Sequence, residues 1–82
     1  LNRGEIINIL ENADSDSKEV EVVFSKGRKL IKKRLCIIEV GYRSFLGCDS
    51  DFEVYRIKFS EIISLRICEK KLFEDLSSAD GS

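Results

Sequence analysis

An 82-residue chain with 43% hydrophobic and 35% charged residues can close one core and no more. It contains no histidine, which removes the usual neutral-pH proton shuttle and most nucleophilic triads. So small a core leaves no room for a large internal active-site cavity, and a net charge of −1 points to no partner by itself.

In chain order, Ile6, Ile9, Leu10 and Ala13 recur at helical spacing, so residues 2–13 read as a helix. Asn2 is placed to cap it, and Glu5 completes a capping box. Asp14-Ser15-Asp16-Ser17 should end it, because short polar side chains compete there for backbone groups. A helix this short does not persist alone, so its single apolar stripe must pack on something. From 18 to 25 the period drops to two: Val20, Val22 and Phe24 face one way, and Glu19, Glu21, Val23 and Ser25 the other. Lys26-Gly27-Arg28 turns the chain.

Residues 29–40 read as one long bent strand, basic at first and then almost wholly apolar (Leu35, Cys36, Ile37, Ile38, Val40), which predicts burial on both faces of its second half. Gly41-Tyr42 turns into a third strand, 43–48, with Phe45 and Leu46 on opposite faces. Asp49-Ser50-Asp51 turns again, into a fourth strand, 52–59, with Glu53, Tyr55, Ile57 and Phe59 on one face and Val54, Arg56 and Lys58 on the other. Ser60-Glu61-Ile62 breaks the alternation as a 3-10 turn, 63–68 form a short fifth strand, and 69–76 carry a helical turn or two through Leu72, Phe73 and Leu76.

This order predicts a mainly β fold: an N-terminal helix plus a five-stranded antiparallel SH3-like or Sm-like barrel with a 3-10 turn before the last strand. Closing the sheet would remove its exposed edges. One barrel domain is expected over 1–76, with a disordered tail over 77–82.

Cys36, Cys48 and Cys68 are odd in number, lack paired spacing and sit in or beside apolar runs, so three buried, reduced thiols are expected. With no signal peptide and no apolar run near 18 residues, a cytoplasmic location without membrane spanning is expected. Asp49-x-Asp51-x-Glu53 opens like a calcium loop, but Val54 stands where glycine is needed and Ser60 where the bidentate acid would be, so no metal is expected. The glycines are isolated and build no phosphate cradle. No cofactor and no catalytic residue is expected.

The informative patches are cationic. Lys26, Arg28, Lys29, Lys32, Lys33 and Arg34 sit at a hairpin and on the strand leaving it. A hairpin with cations at its tip can lie along a phosphate backbone; the alternative is a solvated edge whose cations pair with Glu19 and Glu21 across the hairpin. Arg43, Arg56 and Lys58 form a second cluster, suited to carboxylate or phosphate unless Asp49, Asp51 or Glu53 neutralises it. Tyr42 and Tyr55 would stack bases only from one shared surface.

Ser44-Phe45-Leu46-Gly47 and Tyr55-Arg56-Ile57-Lys58-Phe59-Ser60-Glu61-Ile62 resemble the WYL domain, an Sm-like barrel that usually sits beside a DNA-binding domain in bacterial transcription regulators. The namesake Trp-Tyr-Leu run falls on Ser44-Phe45-Leu46, of which the aromatic and the leucine survive in kind. The family's later strand, Arg-x-Phe-x-Leu followed by Arg-Ile, is matched by Arg56, Ile57, Phe59 and Ile62. One residue fewer separates arginine from isoleucine, and Glu61 replaces the second arginine. The resemblance spans roughly residues 5–67, and small YolD-like bacterial proteins show a comparable layout. It implies a regulatory module that binds nucleic acid or an anionic small ligand through arginine and aromatic side chains, with Phe45 and Arg56 the residues carried over. A fused or partner DNA-binding domain and a homo-oligomer are the other partners to expect. The competing reading is a protein-interaction or oligomerisation module with no nucleic-acid role.

Overall fold

The computed structural model describes residues 1–68. They form helix α1 (Arg3–Ser15), strands β1 (Glu19–Lys26), β2 (Lys29–Val40), β3 (Ser44–Cys48) and β4 (Val54–Lys58), a 3-10 turn η1 (Phe59–Glu61) and β5 (Ile62–Ile67). The mainly β class, the helix, the five antiparallel strands and the turn before the last strand are as the sequence predicts. The helical turns expected at 69–76 and the tail at 77–82 lie outside the described residues.

The ends of α1 follow from local chemistry. Asn2 accepts the Glu5 backbone N–H at 2.9 Å while the Glu5 carboxylate receives the Asn2 N–H at 3.4 Å, the expected capping box. At the other end the helix runs two residues past the expected stop, because the backbone itself caps it. The Lys18 N–H reaches the Ala13 carbonyl (2.8 Å) and the Ser17 N–H the Asp14 carbonyl (3.1 Å), with Ser17 in the left-handed region at φ 55°. This is a Schellman closure with serine where glycine is usual. Ile6, Leu10 and Ala13 are buried. They pack against β1, β2 and β5, and a leucine as fully buried as Leu10 contributes about 1.5–3 kcal/mol.

The strands pair in the order β4-β3-β2-β1-β5, all antiparallel. Consecutive alternation puts Val20, Val22, Phe24, Leu35, Phe45, Ile57 and Leu65 on the inner face, where with α1 and Phe59 they make the core. No hydrogen-bonded ladder joins β4 to β5 among the described residues, so the pairing by itself gives a five-stranded antiparallel sheet. The short η1 turn carries the chain from one edge strand directly to the other.

The reading of residues 29–40 is corrected in part. The stretch is one bent strand, but its second half is not buried on both faces: Leu35 is buried, whereas Cys36, Ile38 and Glu39 are exposed. Among the described residues only one face of β2 has a helix against it. The bend comes from a register shift between Ile37 and Glu39, where Ile38 bulges outward at 51% exposure. The thiol reading changes likewise: Cys36 is exposed and Cys48 and Cys68 are half-buried.

At the β1–β2 hairpin, Lys26 pairs with Lys29 and leaves a two-residue loop. Gly27 at φ 64°, followed by Arg28 with negative φ, is the type II′ pattern, which matches strand twist and admits glycine at its first position.

Candidate functional site

β1 and β2 pair from Glu19↔Cys36 out to Lys26↔Lys29, whereas β3 meets β2 only from Cys36 onward and β5 meets β1 only as far as Phe24. The end of the hairpin therefore projects past its neighbours on both sides, as a two-stranded arm. Its tip carries Lys26, Arg28 and Lys29, all exposed, with Leu30 beside them at 69% exposure.

The six cations of the basic segment separate into two groups. On the outer face Lys32 lies 3.7 Å from Glu21, and Arg34 lies 3.2 Å from Glu19. Arg66 of β5 also reaches Glu21 at 2.9 Å. The Arg66 hydrogen bond, ahead of the opposing effect of desolvation, holds the Glu21 carboxyl below its ordinary value. Lys33 has the opposite parity, facing the inner side at the open end of the sheet, where its Nζ lies 5.2 Å from the centroid of the Tyr55 ring. Contact with Tyr55 raises the Lys33 pKa. Cross-hairpin pairing with Glu19 and Glu21 thus accounts for Lys32 and Arg34, and Tyr55 for Lys33. Among the described residues no ion pair or hydrogen bond engages the side chains of Lys26, Arg28 or Lys29.

The second expected cluster does not come together. Arg56 faces Leu46 and Lys58 faces Ser44 across β3–β4, both on the outer side and both exposed. Phe45 pairs with Ile57 in the core at 1% exposure, so its ring has no surface to offer a ligand. Arg43 precedes β3 on the parity of Phe45 rather than of Arg56, and its carbonyl accepts the Phe59 N–H at 2.8 Å. The tyrosines also part company. Tyr42 lies in the β2–β3 turn under the Arg3 guanidinium, 4.0 Å from the ring centroid. Tyr55 lies towards the other end of β3, its hydroxyl bonded to Asp49 (3.2 Å) and Glu53 (3.1 Å).

A feature that alternation did not single out is the β3–β4 loop. Asp49 Oδ1 accepts the backbone N–H groups of Asp51 (2.9 Å) and Glu53 (3.0 Å), and the Asp49 carbonyl accepts that of Phe52 (3.0 Å). The Glu53 N–H, chief among these donors, holds the Asp49 pKa low. So fastened, the loop holds Phe52 at φ 65° with 84% of its surface exposed. A bulky side chain in the left-handed region is strained, and this one gains no burial in return. The sequence carried one usable signal: a phenylalanine inside an acidic turn, out of phase with the strand after it. Phe52→Asn is expected to raise stability by about 0.5–1 kcal/mol, since asparagine tolerates this backbone. Equilibrium urea unfolding measures it, and a lower midpoint for the variant would show that the ring supports the fold.

Among the described residues there is no group of three side chains able to hold a metal ion, and no helix long and apolar enough to cross a membrane. Searches with the chain match no family model, no curated protein and no solved structure.

Proposed function

We propose that this chain is a non-catalytic binding module whose β1–β2 arm engages a polyanion, with single-stranded nucleic acid the leading candidate. One observation carries the reading: Lys26, Arg28 and Lys29 stand at a projecting tip and make no ion pair among the described residues, while the cations nearer the root of the arm are occupied within the fold. Clustered unneutralised cations gain by releasing counterions from a phosphate backbone. The likeness to WYL domains points the same way, although the contact surface is the arm rather than Phe45. Arg56 and Lys58 stay within the proposal as a secondary anionic contact on the outer face of β4.

The test is fluorescence anisotropy with a labelled single-stranded oligonucleotide across a salt series. Replacing Lys26, Arg28 and Lys29 together by alanine is expected to weaken binding about tenfold or more at low salt. It should also flatten the log–log salt slope by about 2, the share of three phosphate contacts to a single strand. Identical affinity and slope for wild type and variant would rule out the arm.

A second reading, a protein-interaction or assembly module, is favoured by a different observation. Phe52 is held exposed under strain, and among the described residues β4 and β5 have no further strand paired to them, such edges being the usual sites for pairing with another chain. Light scattering separates the two readings, since a stable oligomer whose formation masks Phe52 belongs to the second.

A further inference from the structure

Cys48, Cys36 and Glu19 lie in one row across β3, β2 and β1, and the Cys68 N–H continues it by donating to the Glu19 carbonyl at 2.8 Å. Within this row Cys36 and Cys48 are direct register partners. Antiparallel partners hold their Cα atoms about 4.5–5.5 Å apart, inside the about 4.4–6.8 Å that a disulfide spans. Their side chains leave the sheet on the same side, opposite the face that α1 covers. Cys36 is exposed and Cys48 half-buried, so a small reagent reaches the pair. As thiols they are turned apart: Cys36 Sγ points to Glu19 Oε2 at 3.8 Å and Cys48 Sγ to the Asp49 carbonyl at 3.5 Å.

We propose that Cys36 and Cys48 are a redox-responsive pair that closes into a cross-strand disulfide, with a small-molecule disulfide of the glutathione type as oxidant. The exposed Cys36 gives up its proton and attacks one sulfur of the oxidant. That forms a mixed disulfide and expels one glutathione thiolate. Rotation about the Cys48 Cα–Cβ bond then brings its thiolate onto the Cys36 sulfur, and the second glutathione thiolate leaves. Two protein thiols lose two electrons and two protons, and one oxidant disulfide becomes two thiols. Cys68 is excluded by distance. Strands are spaced about 4.8 Å apart, and Cys68 is two strands from Cys36 and three from Cys48. The bridge would close on the last β2–β3 rung before the β1–β2 arm leaves β3, stapling the root of the arm whatever the arm binds.

The experiment incubates the intact chain with oxidised glutathione in native buffer, blocks remaining thiols with N-ethylmaleimide and maps the linked peptides by mass spectrometry. The Cys36–Cys48 bridge is expected to exceed both Cys68 pairings by about tenfold or more, because only that pair is within disulfide reach. Dithiothreitol should reverse it and Cys68→Ser should leave it intact. Cys36→Ser and Cys48→Ser should each abolish intramolecular bridging. The same incubation in concentrated urea gives the reference, where loop length alone favours Cys36–Cys48 by only about two- and fourfold over the others. A native distribution no more selective than the urea one overturns the proposal, as does a product made only of mixed disulfides or cross-linked dimers.

Discussion

Phe45→Ala is expected to destabilise the protein by about 3–5 kcal/mol, the largest loss expected of any single substitution considered for this chain. The ring is 1% exposed in β3, opposite Ile57 and within the same cluster as Leu10, Leu35 and Val20. Removing it loses the burial of the ring and opens a cavity that the surrounding core can only partly collapse to fill. A domain of this size has about 4–12 kcal/mol in total, so the change consumes a large share of it. Phe45→Leu keeps most of the volume and should cost much less, about 1–2 kcal/mol. Urea midpoints followed by circular dichroism measure both. A wild-type midpoint for Phe45→Ala would mean that β3 presents its other face to the core. The result also governs how binding data are read: ligand affinity lost in Phe45→Ala would report unfolding rather than a missing contact.

Gly47→Ala is the other large effect, and it acts through crowding rather than loss. Gly47 pairs with Ile37 on one side and Tyr55 on the other, in the middle of the sheet. A Cβ placed there would lie 2.9 Å from both Cβ and Cδ1 of Leu35 and 3.3 Å from the Cys36 carbonyl oxygen. The Leu35 methyl can rotate away, but its Cβ is fixed by the β2 backbone, so the strands themselves must shift. Overpacking of this kind costs about 1–3 kcal/mol. The cause is checked by a double-mutant cycle: Leu35→Ala removes the Cδ1 contact and keeps the Cβ contact, so in that background the added methyl should cost less than in wild type but not nothing. Additive effects would show that the Leu35 methyl is not part of what the added group strikes.

Much of the architecture was legible in the sequence because it rests on local, periodic physics. The switch from a 3.6-residue to a two-residue period around Ser17 and Lys18, the capping box at Asn2 and Glu5, and the glycine at Gly27 each report a backbone preference that a few neighbouring residues decide. The alternation in β1 and β4 set Val20, Val22 and Phe24 apart from Glu19 and Glu21, and Ile57 apart from Arg56 and Lys58, as found, although Glu19 on the outer face is itself buried at 4% exposure beside Arg34. The second half of β2 misled for a physical reason: an apolar run reads the same whether a second layer covers its far face or a bulge turns part of it outward, and Ile38 does the latter.

The candidate site was less legible, because it depends on partners that are distant along the chain. The likeness carried Phe45 and Arg56 together, and only the fold shows Phe45 buried in the core at 1% exposure with Arg56 exposed on the outer face. Which cations stay available was a tertiary outcome. Glu19 and Glu21 capture Arg34 and Lys32 across the hairpin, Tyr55 captures Lys33 from two strands away, and the tip is left bare because no strand extends far enough to meet it.

By itself, the sequence determined that these residues form a helix followed by antiparallel strands, with no histidine for acid–base work and with a basic hairpin. Hydrophobic period, caps and turn residues act over a few positions and need no knowledge of the rest. Only the tertiary structure decided that the strands pair in the order β4-β3-β2-β1-β5, that Cys36 faces Cys48, and that Phe52 is held out under strain. Each of these depends on strand order and register, which contacts between remote residues establish.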